Sequence, residues 1–261
     1  MSRSIALLWT KGLIVLSIVA SAASGATLVK YDAAAAGAGV DPTGVSPAWT
    51  RFGVLMTNNG TALVQDNTAD DPTTESGEYL SPSAGAGLMK LTSGQYGIEI
   101  KAQPLTDVPF AGASHYANAY VFWSDDSFAY NITLDKYSND VSGTGGIKYG
   151  QNSMADAVTG IDWSVPHTLF IGWTGFSPFG SFNFYVDGVF KSAISAGSMA
   201  RSGGFPFAQD RVDFGDGTTG QGVDVAVNWY SLAIYDTNQP VPEPTGLILL
   251  ALGVLGVRRP R

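Results

Sequence analysis

The residues that could perform acid–base chemistry are few. The chain has four glutamates, Glu75, Glu78, Glu99 and Glu243. A glycosidase needs two carboxyl groups across the sugar, about 5–5.5 Å apart in the retaining enzymes. Glu75 and Glu78 are three residues apart in a loop rich in Pro, Thr, Ser and Gly, so a continued strand would put them on opposite faces. Neighbouring glutamates therefore do not supply the pair, although aspartates distant in sequence remain able to meet in space.

Nucleophilic and metal chemistry are limited by the histidines and cysteines. His115 lies beside Ser114 in a loop, His167 follows Pro166, and the chain has no other histidine. Neither lies near a Gly-x-Ser-x-Gly elbow of the kind that presents a serine nucleophile. The chain has no cysteine, which excludes thiol catalysis, zinc–thiolate sites and iron–sulfur clusters. Two imidazoles also exclude a multi-histidine metal site. We expect a protein that is not an enzyme.

Calcium is the cofactor with some support in the residues. Calcium binds carboxylate and carbonyl oxygens at about 2.3–2.6 Å. The candidate ligands are acidic residues in short clusters, namely Asp213, Asp216, Asp125 and Asp126. Aspartate followed by glycine is equally typical of a turn, because Asp bonds its own backbone and Gly adopts a positive φ. Calcium binding and simple turn formation both remain open.

The elements that must position these residues are short strands. Charged residues are scarce, and short alternating runs are separated by turn clusters, which is typical of a sandwich or barrel. In residues 181–187 Phe182, Phe184 and Val186 fall on one face, and Asp187-Gly188 then predicts a hairpin. Further strands are predicted at 27–31, 96–101, 119–123, 128–134 and 167–173. The strands at 119–123 and 128–134 are predicted to form a hairpin around residues 124–127. The run 223–235 is too long to be straight, so we expect a bulge near Asn228.

The second half of the chain resembles a LamG-like, concanavalin A-type jelly roll. The resemblance rests on His167–Trp173 (HTLFIGW), Phe-Tyr-Val-Asp-Gly at 184–188, Val-Asp-Phe-Gly-Asp at 212–216 and a final strand ending at Tyr235. It implies an all-β domain of two antiparallel sheets over residues 27–238, with the first and last strands as neighbours. Members of this class often bind glycans, and some bind calcium at the rim. The exposed aromatics expected to stack on a sugar are Trp163 and Tyr116, because neither lies in a clear strand.

Both ends of the chain carry export signals. Residues 1–26 combine Arg3 and Lys11, an apolar core at 12–20 and small residues at 21–26, which predicts a signal peptide cleaved after Ala26, or after Ala22 or Ala23. The segment 239–261 contains Val241-Pro242-Glu243-Pro244, a run of 13 uncharged residues at 245–257, and then Arg258, Arg259 and Arg261. Thirteen helical residues span about 20 Å, less than a hydrocarbon core of about 30 Å. The run therefore depends on its flanks to act as a transmembrane sorting helix.

The tail resembles the PEP-CTERM sorting signal of exported bacterial proteins. That resemblance implies an inner-membrane-anchored precursor, cut by an exosortase-type enzyme, and a product at the cell surface or outside the cell. Removing residues 1–26 and 241–261 leaves nine basic and 21 acidic residues, a net charge of −12. Such a charge disfavours nucleic acid as a partner. We expect a glycan-binding or exopolysaccharide-matrix component. The alternatives are a polysaccharide-active enzyme with dispersed carboxylates and a purely structural surface protein.

Overall fold

The chain folds as an all-β protein with two sheets. The computed structural model describes residues 26–52, 56–66, 78–80, 95–106, 120–124, 128–135, 145–149, 155–174, 180–202, 211–215 and 226–240. The strands in these residues are β1 (Thr27–Asp32), β2 (Thr50–Phe52), β3 (Thr57–Asn58), β4 (Leu63–Asp66), β5 (Glu78–Leu80), β6 (Tyr96–Thr106), β7 (Tyr120–Ser124), β8 (Phe128–Asp135), β9 (Gly145–Tyr149), β10 (Ala155–Ile161), β11 (His167–Trp173), β12 (Ser181–Val186), β13 (Val189–Ser195), β14 (Ala200–Ser202), β15 (Arg211–Gly215) and β16 (Ala226–Tyr235). Two short helices, α1 (Ala33–Ala36) and α2 (Ala196–Met199), and a 3-10 turn (Pro42–Gly44) complete the described elements.

The strands form two antiparallel sheets of eight strands each in the described part of the chain. Sheet A has the order β13-β12-β11-β6-β16-β4-β3, and β1 also pairs with β16. Sheet B has the order β10-β9-β8-β7-β15-β5-β2, and β14 also pairs with β8. The predicted neighbourhood of the first and last strands is confirmed, since Tyr31 lies opposite Leu232. The predicted hairpin around residues 124–127 is also confirmed, by the pairing of β7 with β8.

The core lies between the sheets and is rich in aromatic rings. Phe214 of sheet B contacts Trp229 of sheet A, with ring centroids 5.2 Å apart, and Trp49 at 5.3 Å. Tyr79 stacks on Phe214 at 5.5 Å. The Trp229 indole donates to Gln65 Oε1 at 3.0 Å, so the largest side chain in this region is also held by a polar contact. The chain therefore closes its core without a disulfide.

β16 pairs with three other strands of sheet A, and its pairing is irregular near Asn228, as predicted. Its pairing with β6 shifts register between Ala226 and Val227, and again between Trp229 and Ser231. These bulges lie on either side of Asn228, where the bend was expected. At the other end of β16, Asp236 donates its amide to the Ala26 carbonyl at 3.2 Å and accepts the Ala26 amide on its carboxylate. The two ends of the described domain therefore meet at one rim of sheet A.

A buried amide fixes the loop that follows β1. Asn58 Nδ2 lies 2.9 Å from the carbonyls of Ala33 and Val40 and 3.0 Å from the Tyr31 hydroxyl, and Asn58 Oδ1 accepts the Gly60 amide at 2.8 Å. Burial raises the pKa of the Tyr31 hydroxyl to about 12. Tyr31 therefore keeps its proton and donates it to the Val40 carbonyl.

The signal-peptide and sorting-tail predictions lie outside the described residues, apart from Ala26 and residues 239–240. Among the residues the structure does describe, no helix has both the length and the apolar character needed to cross a bilayer.

Candidate functional site

One histidine–aspartate pair lies where β11 meets the β12–β13 hairpin. His167 Nδ1 is 2.6 Å from Asp187 Oδ2, and His167 Nε2 is 2.9 Å from the Asp162 carbonyl oxygen. Both partners present hydrogen-bond acceptors, so each ring nitrogen of His167 is occupied by a contact within the protein. His167 therefore links the turn before β11 to the β12–β13 hairpin.

The same aspartate sets the hairpin turn. Asp187 has φ +49° and Gly188 has φ +75°, and left-handed residues at both central positions match the twist of a two-residue hairpin. Asp187 Oδ1 also accepts the Thr168 amide at 3.0 Å. Partial burial acts to raise the pKa of the Asp187 carboxyl, but the bonds from His167 and Thr168 and the charges of His167 and Lys191 hold that pKa below its ordinary value. The turn is thus held by a carboxylate.

This hairpin carries an exposed aromatic side chain on the outer face of sheet A, the face turned away from sheet B. Phe190 lies opposite Tyr185 across the hairpin, with ring centroids 5.5 Å apart at 69°. Tyr185 contacts Phe170 at 6.0 Å, and Phe170 contacts Tyr235 at 6.3 Å. We call Phe190, Tyr185, Phe170 and Tyr235 the aromatic row. Its inner ring, Phe170, is 2% exposed, and its outer ring, Phe190, is 53% exposed.

A segment after β16 crosses the same face. Residues 236–240, here called the strap, pass over Gly97 and Gly172, which are cross-strand partners in β6 and β11. A Cβ built on Gly172 would lie 2.1 Å from the Asn238 carbonyl oxygen, and one on Gly97 would lie 2.6 Å from that of Thr237. Real Cβ atoms do not approach that closely, so the two glycines form a slot that only a bare backbone allows. Asn238 is buried in this slot, with 9% exposure.

The strap ends beside the aromatic row. The Tyr185 hydroxyl donates to the side-chain oxygen Oε1 of Gln239 at 3.1 Å. The backbone N–H of Gln239 donates to Thr237 Oγ1 at 3.3 Å. Gln239 is exposed, and Asn183, two residues before Tyr185 on the same face of β12, is half-buried. The Tyr185 ring of the row therefore has the Gln239 side-chain amide as a hydrogen-bonding neighbour. An aromatic face with a few fixed polar groups is the usual make-up of a small-molecule or sugar site.

The structure corrects the expectation that Trp163 is exposed. Trp163 is 3% exposed and belongs to the core cluster. The Ser164 amide donates to Asp162 Oδ1 at 3.0 Å, which forms a tight turn, and the Trp163 ring packs edge-on against His167 at 5.5 Å. A turn at the end of a sandwich can insert its side chain between the sheets even though it belongs to no strand. Trp163 is therefore not available to stack on a sugar.

Of the remaining predicted site residues, Asp213 lies in the described part of the chain and the others lie outside it. Asp213 lies in β15 between the core residues Val212 and Phe214 and is 1% exposed. Within the described ranges, no three His, Asp or Glu side chains form a group suited to a metal ion. Outside the described residues lie Tyr116, Asp125, Asp126, Asp216, Val241, Pro242, Glu243, Pro244, Arg258 and Arg259. Of the four calcium candidates, Asp213 is thus the one that lies among the described residues.

Sequence reasoning missed Phe190 and Gln239. A signal for Phe190 was present, because a two-residue turn at Asp187-Gly188 places Tyr185 opposite Phe190 on the face assigned to polar residues. No comparable signal exists for Gln239, which was assigned to the sorting segment. Its contact with Tyr185 spans 54 positions of the sequence and depends on the glycine slot.

Comparisons with known proteins give similarity at the level of the fold. No protein-family model and no curated protein matches the chain. Domain 4 of the GH43 extracellular arabinanase AbnA from Geobacillus stearothermophilus, solved with arabinotriose, is 16% identical, with a TM-score of 0.47 over 86% of this chain and 98% of that one. Lectin I-B4 from Griffonia simplicifolia is 13% identical, with a TM-score of 0.44 over 79% and 98%. Crh5 transglycosylase is 11% identical, with a TM-score of 0.48 over 84% and 86%. Similarity at this level carries neither a ligand nor an activity from those proteins to this chain.

Proposed function

We propose that this chain is an exported, non-catalytic β-sandwich of the concanavalin A-like, jelly-roll kind that binds glycan at the exposed end of the aromatic row. The observation that carries the proposal is Phe190, which is 53% exposed at the end of a row whose inner ring is buried. A single exposed apolar residue needs no explanation. Phe190 differs because Tyr185 packs edge-on against it, and Tyr185 is itself packed edge-on against buried Phe170.

A rigid ring is suited to sugar recognition. The C–H face of a pyranose is apolar and packs flat on an aromatic ring, while its hydroxyls need hydrogen-bonding partners at the side. A ring that is already fixed loses little conformational entropy when the ligand arrives. The amides of Asn183 and Gln239 lie on the same face of the sheet. These features favour binding of one or a few sugar units.

The non-catalytic part of the proposal rests on the state of the acid–base groups. Both ring nitrogens of His167 are occupied by contacts with Asp187 and with the Asp162 carbonyl, so the imidazole has a structural role. Glu99, which lies on the outer face, accepts the Tyr235 hydroxyl at 3.3 Å. Binding without cleavage is the function that this arrangement supports best.

Export and sorting are proposed from the ends of the chain. The signal-like residues 1–26 and the Pro-Glu-Pro tail favour a precursor held in the inner membrane and processed by an exosortase-type enzyme. The product would act at the cell surface or outside the cell, with extracellular polysaccharide as its partner. Deleting residues 241–261 should release or mislocalise the protein in cell fractionation. An unchanged location would remove the basis for the sorting proposal.

A binding panel tests the glycan proposal. The full chain, purified in detergent, is titrated with oligomers of glucose, xylose, mannose and galactose and with an oligomer of a uronic acid. Phe190→Ala should weaken binding at least tenfold, since truncating a hot-spot aromatic anchor costs about 2 kcal/mol or more and tenfold corresponds to about 1.4 kcal/mol. Val165→Ala is the matched control, because Val165 is 51% exposed but lies in the turn before β11. Release of shortened oligomers would favour the polysaccharide-active enzyme, and absence of binding would favour a structural surface protein.

A further inference from the structure

We propose that Gln239 is a ligand-contacting residue of this site, that Gly97 and Gly172 position it through the strap, and that the ligand is a neutral pyranose oligosaccharide. This inference rests on the proposed glycan binding. It adds the residue that recognises a hydroxyl, the feature of sheet A that places it, and the chemical class of the sugar.

Gln239 presents one end of its amide in a fixed direction. Its oxygen is held by the Tyr185 hydroxyl at 3.1 Å, and its backbone is held by Thr237 Oγ1 at 3.3 Å. A primary amide is planar, so fixing one end fixes the other, and the exposed end points away from Tyr185. Tyr185 also contacts the Phe190 ring. A sugar stacked on Phe190 would therefore have an oriented hydrogen-bonding group beside its ring hydroxyls.

The glycine slot sets how close Gln239 can come to the aromatic row. A side chain at Gly172 would meet the Asn238 carbonyl oxygen at 2.1 Å, and ordinary contact needs about 3.4 Å, so the strap would have to lift by roughly 1.3 Å. Asn238 immediately precedes Gln239, and its burial anchors the strap. Such a lift would break the bond between Tyr185 and Gln239. The two glycines thus position the amide without touching the ligand.

The class of sugar follows from charge. Residues 27–240 carry a net charge of −12, which repels a polyanionic glycan at low ionic strength. An amide and a phenyl ring carry no charge to offset that repulsion. The recognised groups are thus an apolar C–H face and hydroxyls, which a neutral pyranose provides.

A ligand that touches both Phe190 and Gln239 must also stabilise the docked strap. By linkage, the factor by which a docked strap strengthens glycan binding equals the factor by which glycan strengthens docking. Hydrogen exchange of the strap amides measures docking of the strap, and sugar titration measures glycan affinity. The positioning of Gln239 by the glycines and its contact with the ligand are therefore tested independently.

The test uses the full chain and the same panel, with cellohexaose as the reference neutral oligomer. Gln239→Ala and Tyr185→Phe should each lower affinity about tenfold, and Gln239→Ala should leave strap exchange slow in the absence of sugar. Gly172→Ala should speed strap exchange and lower affinity as much as Gln239→Ala, and combining the two should add nothing further. Saturating sugar should slow strap exchange in the wild-type chain by the factor by which Gly172→Ala weakens binding.

Gly146→Ala is the matched control. A Cβ there would lie 2.2 Å from the Val158 carbonyl oxygen, a similar clash in sheet B away from the strap. It should lower thermal stability and leave sugar affinity unchanged. Where Gly172→Ala does not fold, the exposed Gln239 substitution and Tyr185→Phe still decide the question. Wild-type binding that Phe190→Ala abolishes but Gln239→Ala and Tyr185→Phe leave intact would overturn this inference alone. Tightest binding to the uronic acid oligomer would overturn the neutral class, and no binding by the wild type would overturn the proposed function as well.

Discussion

Replacing Asp187 with asparagine should weaken the hairpin that carries Phe190 by a measurable and pH-dependent amount. Asparagine tolerates a positive φ and keeps an oxygen for the Thr168 amide. The change removes the charge opposite His167 and replaces the acceptor Oδ2 with an NH2 group. A hydrogen bond to a charged group contributes about 1.5–3 kcal/mol when buried, whereas exposed ion pairs contribute about 0.2–1 kcal/mol. The Asp187 side chain is 53% exposed and that of His167 is 16% exposed. We therefore expect about 1 kcal/mol, or a fall in Tm of about 2–4 °C for a domain of this size.

The pH dependence has a definite sign. The pKa of the folded Asp187 carboxyl is below its ordinary value of 3.8. Its contribution is fully present above that ordinary value and is lost as the pH falls through the lower pKa of the folded state. The stability difference between the wild type and Asp187→Asn should therefore shrink as the pH falls below about 4. A difference that grows on acidification would contradict the assigned cause.

A double-mutant cycle isolates the pair. His167→Phe keeps an aromatic ring against Trp163 but removes both ring nitrogens. Urea unfolding of the wild type, each single variant and the double variant should give a coupling free energy of about 1 kcal/mol. Uncoupled sites add within about 0.3–0.5 kcal/mol. Additivity within that range would show that the 2.6 Å contact contributes nothing to stability and would refute the reasoning.

Three further outcomes are expected. Trp229→Phe should cost about 1–3 kcal/mol in urea unfolding, because it leaves buried Gln65 Oε1 without the indole donor; an unchanged midpoint would mean that the amide finds another donor. Asn58→Ala should lower the free energy of unfolding by at least about 2 kcal/mol, since it removes hydrogen bonds to Ala33, Val40 and Gly60 at once. Hydrogen exchange of the Gly60 amide should become faster, and equal exchange in the variant and the wild type would contradict this role of Asn58. The Tm should be the same in calcium and in chelator, and a rise of several degrees with calcium would locate a metal site at the acidic clusters.

The strands were predictable where local chemistry decides them. Asp187-Gly188 fixes a two-residue turn, and the alternation of Phe182, Phe184 and Val186 fixes the buried face of β12. The bend near Asn228 follows from a run too long for a straight strand. Short strands such as β3, β5 and β14, of two or three residues each, carry no alternation long enough to detect.

The site was less predictable because distant contacts build it. Trp163 lies in a turn, and its burial depends on packing against His167 and the core. Gly97 and Gly172 look like ordinary interruptions of strands. Their role appears only when β6 and β11 are paired and the strap crosses them. A single sequence contains the residues of the strap but not the register that makes the slot.

The pairing of β16 with three earlier strands constrains how the chain acquires its fold. This last described strand pairs with β6, β1 and β4, which belong to the first half of the described chain. β16 is synthesised after all of them, so β1, β4 and β6 each lack this partner until nearly the whole of the described domain has been made. Contacts of such large sequence separation make folding slow and leave strand edges open to aggregation meanwhile. A chain that stays unfolded until this strand arrives is also one that a translocation channel can thread, so slow folding of this topology is compatible with the proposed export.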